Sequence, residues 1–296
     1  MSGERGARRV TVTKTYKLFL GGGFPRSESG RSLSVVDRRG RVVAQVCRAS
    51  RKDLREAVEA AARALPDWSR RDAYNRGQIL YRMAEMLEAR AGEMAELLAL
   101  TVPGGLRRAR RETAAAVDRL VHFAGWADKF PQVLGNANPV PGPYYNFTIP
   151  EPSGVTGVVA PAEEPLLALV SLLAPPLCAG CTIVALASPE HPLAASVLGE
   201  VCAVSDLPAG AVNLLSGRRE ELLPHLAGHR EVIAIHAAGC SRAERRQLEE
   251  GTAGNLKRVR VVDLEAEAWY DEDECHSPWW IEPFVEMKTI WHPSAY

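Results

Sequence analysis

Apolar and polar positions divide the chain into two regimes. Between residues 50 and 126, apolar side chains recur at helical spacing. Leu54, Val58, Ala61, Ala62 and Leu65 make one stripe; Ile79, Leu80, Met83, Leu87, Met94, Leu97 and Leu98 make a second. Ser50 before Asp53 forms a capping box, and Ser69 before Asp72 marks a second helix start. Pro103-Gly104-Gly105 interrupts the run before it resumes through Arg107 to Trp126. From residue 153 onward, short Val-rich runs alternate with helical segments. Residues 154–160 and 182–186 read as buried strands. The segment opened by Pro165, with Leu166, Leu169, Val170 and Leu173 in period, reads as their crossover helix. The alternation continues as helix 192–204, strand 211–215, helix 218–227, strand 232–236, helix 241–250 and strand 259–262. This predicts an α/β fold: a doubly wound, Rossmann-like parallel sheet with an N-terminal helical layer.

The flanking regions have different patterns. Residues 1–15 are polar and aperiodic, a flexible arm. Strands are expected at 16–20, 32–36 and 41–46, the last two forming a hairpin around Arg39-Gly40. Residues 131–152 shift to Pro, Gly and Asn around one strand-like run, 144–149. Near the end Val285, Met287, Thr289 and Trp291 alternate with Glu286 and Lys288, the pattern of a strand covered on one side. These two strands make a small antiparallel bridging element.

Composition narrows the functional classes. Lys plus Arg (36) and Asp plus Glu (36) cancel over 296 residues, so no global field favours nucleic acid or an acidic membrane. No apolar run approaches a membrane-spanning length. Six irregularly spaced cysteines suit reduced thiols and a cytoplasmic location. Cys178 and Cys181 form C-x-x-C but flank a buried helix–strand junction, so they read as core thiols. Cys275-His276 lies on an acidic stretch, which raises a thiol pKa. His225 and His229 share a helix face without a third ligand, so no metal site is expected.

Several segments together resemble the aldehyde dehydrogenase superfamily. They are Gly22-Gly23-Phe24, Ser27-Glu28-Ser29-Gly30, the run 57–64 followed by Trp68-Ser69, Ala124-Gly125-Trp126-Ala127-Asp128-Lys129, the strand–loop–helix–strand of 154–189, and Asn255-Leu256-Lys257-Arg258-Val259. The resemblance is to a degenerate member lacking the catalytic domain, similar to the second, inactive domain of two-domain aldehyde dehydrogenases. It implies segments 16–135 and 153–263 as parts of a cofactor-type domain, 136–152 as a bridging strand and 280–296 as a C-terminal bridging strand; between them 264–279, acidic in composition, reads as a solvated connector with Trp269-Tyr270 as its anchor on the sheet. Family members carry Pro-Trp-Asn-[aromatic]-Pro after the first strand, the Asn helping to form an oxyanion hole. Here Ala162, Glu163 and Glu164 stand between Pro161 and Pro165, and carboxylates there repel a developing oxyanion.

The family's cofactor-contacting Lys aligns with Leu186, and its general base with Val262. Asp263 or Glu265 as a displaced base would face the wrong side of the strand. Its Phe-Thr-Gly-Ser phosphate run is Ile235-His236-Ala237-Ala238-Gly239-Cys240. The nucleophilic Cys of the family belongs to a domain expected between residue 263 and the final strand, where this chain has only the connector. No catalytic, cofactor-binding or metal residues are therefore assigned, and NAD is expected to bind weakly or not at all. The implied function is a non-catalytic subunit pairing with a full-length aldehyde dehydrogenase. The expected interface is Tyr145, Phe147, Ile149, Val285, Met287, Thr289 and Trp291. The alternatives are an NAD(P)-dependent aldehyde oxidoreductase with displaced catalytic residues, a small-molecule binding protein, or a homodimer joined through the cofactor domains.

Overall fold

A computed structural model of the chain describes residues 12–294; residues 1–11 of the expected arm lie outside that range. Strands β1 (Thr15–Tyr16), β2 (Ser32–Val36) and β3 (Val42–Cys47) form a small sheet in the order β1-β3-β2. Asp37 closes its hairpin: one carboxylate oxygen accepts from the Arg39 and Arg41 amides at 2.9 Å each. Four principal helices follow, α1 (Arg51–Arg70), α2 (Ala73–Glu88), α3 (Ala91–Thr101) and α4 (Gly105–Trp126), then the short α5 (Phe130–Leu134). The Ser50–Asp53 capping box is present, but Ser69 caps nothing. The apolar stripe of α1 carries the helix through Trp68 to Arg70, and Asp72 caps α2 by accepting from Tyr74 N–H at 2.8 Å.

The remaining strands are β4 (Asn136–Ala137), β5 (Tyr144–Pro152), β6 (Val155–Val159), β7 (Thr182–Leu186), β8 (Val212–Leu215), β9 (Val232–Ala238), β10 (Arg258–Val262) and β11 (Val285–Pro293). Between them lie α6 (Leu167–Ala179), α7 (Leu193–Ala203), α8 (Arg219–Gly228), α9 (Arg242–Thr252) and α10 (Glu272–Cys275). The central sheet is parallel throughout, ordered β10-β9-β6-β7-β8. Helices α6 and α7 pack on one face, α8 and α9 on the other, which makes the sheet doubly wound. The N-terminal helices are divided between the two sides. Helix α1 joins α8 against the sheet, whereas α2, α3 and α4 form an outer layer over α6 and α7.

Sandwiched between sheet and outer layer, α6 is buried along its whole length, so its sequence is apolar on every face. Its end groups have no water to turn to, and its own N-cap, Leu166, has no side-chain acceptor. Glu112 of α4 supplies one: the amides of Leu166 and Leu167 donate to its Oε1 at 2.7 and 3.3 Å. At the other end Trp68 Nε1 donates to the Leu177 carbonyl (3.1 Å) and Arg76 Nε to that of Cys178 (3.3 Å). Gly180 then turns the chain with φ +101°.

The acidic segment is not a solvated connector. Its carboxylates point outward, but Trp269, Cys275, Trp280, Ile281 and Phe284 are buried in the main core. Arg119 of α4 fixes it, donating to the Trp269 carbonyl at 2.8 Å, and His276 stacks on His122 with centroids 4.2 Å apart. The expected boundary at 280 therefore falls inside the core.

The third sheet is antiparallel, in the order β11-β5-β4. Its register keeps the expected alternation of β11 and fixes which β5 side chains share each face. Thr289 lies opposite Thr148 and Met287 opposite Pro150, while Lys288 faces Ile149 and Ile290 faces Phe147. Residues directly opposite share a face. Val285, Met287, Thr289 and Trp291 thus lie on one side of the ribbon, and Tyr145, Phe147 and Ile149 on the other with Ile290.

Replacing a large buried aromatic by Ala costs about 3–5 kcal/mol. Trp269→Ala should lower unfolding free energy by about that much in urea titration. A change within ~0.5 kcal/mol, as at a solvated position, would restore the linker reading.

Candidate functional site

In a doubly wound sheet, ligand chemistry gathers at the carboxyl ends of the strands. Here that region is built from the loop after β6, residues 161–165, and the end of β9. The backbone turns at Glu164 with φ +44°, which drives its side chain into the protein while Glu163 stays at the surface. Glu164 is fully buried. Arg108 of α4 pairs with one carboxylate oxygen, its Nε donating at 3.1 Å, and the Tyr270 hydroxyl donates to the other at 2.5 Å. The Arg111 guanidinium lies over the Tyr270 ring at 3.7 Å and forms a two-point ion pair with Glu267 at 2.8 and 3.0 Å. The two carboxylates read as neighbours in the sequence therefore separate, and the inner one ties α4 to the acidic segment.

Glu112 lies next to this network. Burial, together with the Glu164 charge, pushes its carboxyl up to about 7. Its Oε2 is buried without a hydrogen-bond partner among the described residues. A proton on Glu112 relieves both the desolvation and the repulsion from Glu164.

The crevice between β6 and β9 is closed by Arg219, the first residue of α8. This side chain is 8% exposed, and it donates to the Gly239 carbonyl at 3.0 Å and to that of Ala160. It therefore bridges the ends of the two strands that bound the crevice. Gly239, at φ +58°, packs so closely on Pro161 that an added Cβ would lie 2.6 Å from the proline Cβ. Ala237 and Ala238 are buried, as is Leu186 in the core beneath them. Val262 is also buried, Asp263 forms a surface ion pair with Arg245, and Glu265 is exposed. Neither displaced carboxylate is brought to the crevice. Arg219, Glu112 and Arg108 were not singled out in the sequence, and Tyr270 only as an anchor, because each acquires its role from a partner more than fifty residues away or from packing.

Cys178 and Cys181 both lie in the core. Burial pushes the Cys178 thiol up to about 12 and raises those of Cys181 and Cys275. His236 is fully buried between Trp280 and Phe284, and burial lowers its imidazole to about 3. Among the described residues, no group of three or more His, Cys, Asp or Glu side chains is placed to hold a metal. No described helix is long and apolar enough to cross a membrane. A groove of about 800 Å³ lies between α2 and α4, far from the strand ends. Its Arg71 and Arg82 are paired locally with Asp67 and Glu85.

The predicted interface residues all lie on the ribbon. Tyr145, Phe147, Ile149, Met287 and Trp291 are at least one-third exposed, Thr289 is exposed, and Val285 is buried at its base. The outer edge of β11 pairs with no other strand among the described residues.

Comparison with known proteins places this architecture. Residues 24–265 match the model of the aldehyde dehydrogenase family. Mouse (Mus musculus) retinal dehydrogenase 2 is 33% identical over 255 residues, covering 84% of this chain and 48% of that protein. Mouse cytosolic 10-formyltetrahydrofolate dehydrogenase is 30% identical over 266 residues, covering 87% of this chain and 29% of that protein. The crystal structure of PnpE in complex with nicotinamide adenine dinucleotide superposes with a TM-score of 0.80 at 30% identity, covering 83% of this chain and 50% of that one. The chain thus spans about half the length of retinal dehydrogenase 2 and less than a third of the second relative.

The raised Glu112 carboxyl gives a signed pH dependence. The folded protein holds this proton more tightly than the unfolded chain does. The stabilisation is therefore complete below the ordinary value of 4.5 and is lost as pH rises through about 7. Glu112→Gln keeps an acceptor for Leu166 and Leu167 but has no proton to lose. Across that window wild type should lose on the order of 1–3 kcal/mol relative to Glu112→Gln in denaturant titrations. Parallel stability–pH curves for the two proteins would contradict the assignment.

Proposed function

Because the chain belongs to the aldehyde dehydrogenase family, we propose that it acts as a non-catalytic subunit that pairs with a full-length aldehyde dehydrogenase. The observation that carries this reading is the β5–β11 ribbon. It has an unpaired outer edge and exposed aromatic or aliphatic side chains on both faces, Met287 and Trp291 on one and Tyr145, Phe147 and Ile149 on the other. An edge of this kind invites strand addition, in which backbone hydrogen bonds give affinity and the alternating side chains give specificity. The partner contributes the sheet that receives β11. Between β10 and β11 this chain has only the docked segment 263–284, which consists of short helical turns.

The non-catalytic part of the reading is supported at the strand ends. An oxyanion needs hydrogen-bond donors aimed at it. The inner residue of the loop is instead a carboxylate already occupied by Arg108 and Tyr270. Arg219 fills the crevice in which a dinucleotide would approach the strand ends. Cys275 is buried, with its thiol raised, the opposite of an activated nucleophile.

Calorimetric titration with millimolar NAD should give no saturable heat, and the purified chain should form no NADH from aldehyde. Saturable binding at micromolar NAD, or aldehyde-dependent NADH above a no-enzyme control, would overturn the non-catalytic reading.

Truncation after Glu286 removes the projecting part of β11 but keeps Trp280, Ile281, Phe284 and Val285 in the core. It should leave the far-ultraviolet circular dichroism spectrum essentially intact and abolish co-purification with the full-length partner. Undiminished co-purification would defeat the strand-donor proposal. A homodimer that persists unchanged after truncation would assign self-association to the cofactor-type domain.

A further inference from the structure

The His225–His229 pair lies beside the N-terminal turns of α1, where Arg51 and Arg55 face it across a cleft of about 270 Å³ with Leu54 and Pro224 also in its lining. No carboxylate lines this cleft. Arg51 and His225 make no side-chain hydrogen bond or ion pair among the described residues, and Arg55 reaches only Glu59, at 3.5 Å on its own helix. Beneath His229 lies Lys257, 9% exposed, whose ammonium donates to the His229 carbonyl and meets no carboxylate among the described residues. Burial draws Lys257 down to about 8. Arg51 holds the His225 imidazole below its usual range after the effect of burial, and Lys257 does the same for His229 against the weaker pull of Glu231 and Glu59. Positive charge thus converges from α1 and from the segment before β10 on two imidazoles at the end of α8, with Glu59 and Glu231 as the nearby acids.

We propose that the cleft between α1 and α8 is a binding site for a small phosphomonoester, held by Arg51, Arg55, His225 and His229. Two guanidinium groups offer paired donors that match phosphate oxygens, and two imidazoles add donors once protonated. A phosphoryl group offers three acceptor oxygens to a carboxylate's two and gains further charge as it meets these cations. The site lies apart from the ribbon, so it stands whether or not the pairing proposal does.

The test is an NMR titration of the intact chain at pH 6 with inorganic phosphate, glycerol 3-phosphate and acetate, following the imidazole signals of His225 and His229. Phosphate and glycerol 3-phosphate should shift both signals saturably and raise both imidazole pKa values, with acetate binding more weakly. Arg51→Ala should weaken phosphate binding about tenfold, the loss expected for one charge-assisted contact. Arg63→Ala, an exposed change on α1 outside the cleft, should leave the affinity unaltered. The site would be overturned by unmoved histidine signals at millimolar phosphate, or by equal affinities in the two variants. Acetate binding as tightly as phosphate would overturn the phosphomonoester assignment.

Discussion

A helix with no face in water must have its end groups satisfied by the protein, and this requirement on α6 organises the molecule. Its middle is settled by apolar packing on every side. Its ends are settled by three polar side chains from three other helices: Glu112 at the start, Trp68 and Arg76 at the finish. An unsatisfied buried amide or carbonyl costs several times what an ordinary hydrogen bond contributes net. Those contacts therefore fix where α1, α2 and α4 lie. The division of the N-terminal helices between the two faces of the sheet provides caps for both ends of the helix between them.

The same capping residue links scaffold to site. Glu112 brings a carboxyl group to the start of α6, where the loop after β6 brings Glu164. Two acidic groups in a dry place need compensation, which comes from Arg108, from the Tyr270 hydroxyl and from a proton on Glu112. Tyr270 belongs to the segment after β10, so the electrostatics of the loop also hold that segment down. In the family, the resemblance places oxyanion donors in this loop. Here the region is closed by internal ion pairing, and Arg219 spans the neighbouring crevice.

What could be read from the sequence follows how locally each feature is determined. The strands and the crossover helix emerge from period and flanking Gly or Pro, and the Ser50–Asp53 cap from two residues three apart. Ser69 misled because a cap is meaningful only where the preceding helix has already ended, and the packing of Trp68 extends α1 past it. In the acidic segment Trp269-Tyr270 was legible as an anchor, but charge density masked Trp280 and how deeply the whole segment is buried. The alternating face of β11 was legible in its own sequence, but not which β5 side chains it shares that face with. Which side chains lie together across an antiparallel pair depends on register, and register is absent from either strand alone. Arg219 is the extreme case, since its two strand-end acceptors are backbone carbonyls and its third, Glu244, lies on another helix.

The order of the α6 partners along the chain has a consequence for biosynthesis. Glu112, Trp68 and Arg76 all precede α6, as does Arg119, which donates to Ser171 within it. As this apolar helix leaves the ribosome, the side chains that satisfy its ends have already been made. This wholly apolar stretch can therefore dock on finished helices without waiting for the strands still to come. Tyr270, made only after all five strands of the central sheet, closes over Glu164 later than those helices do.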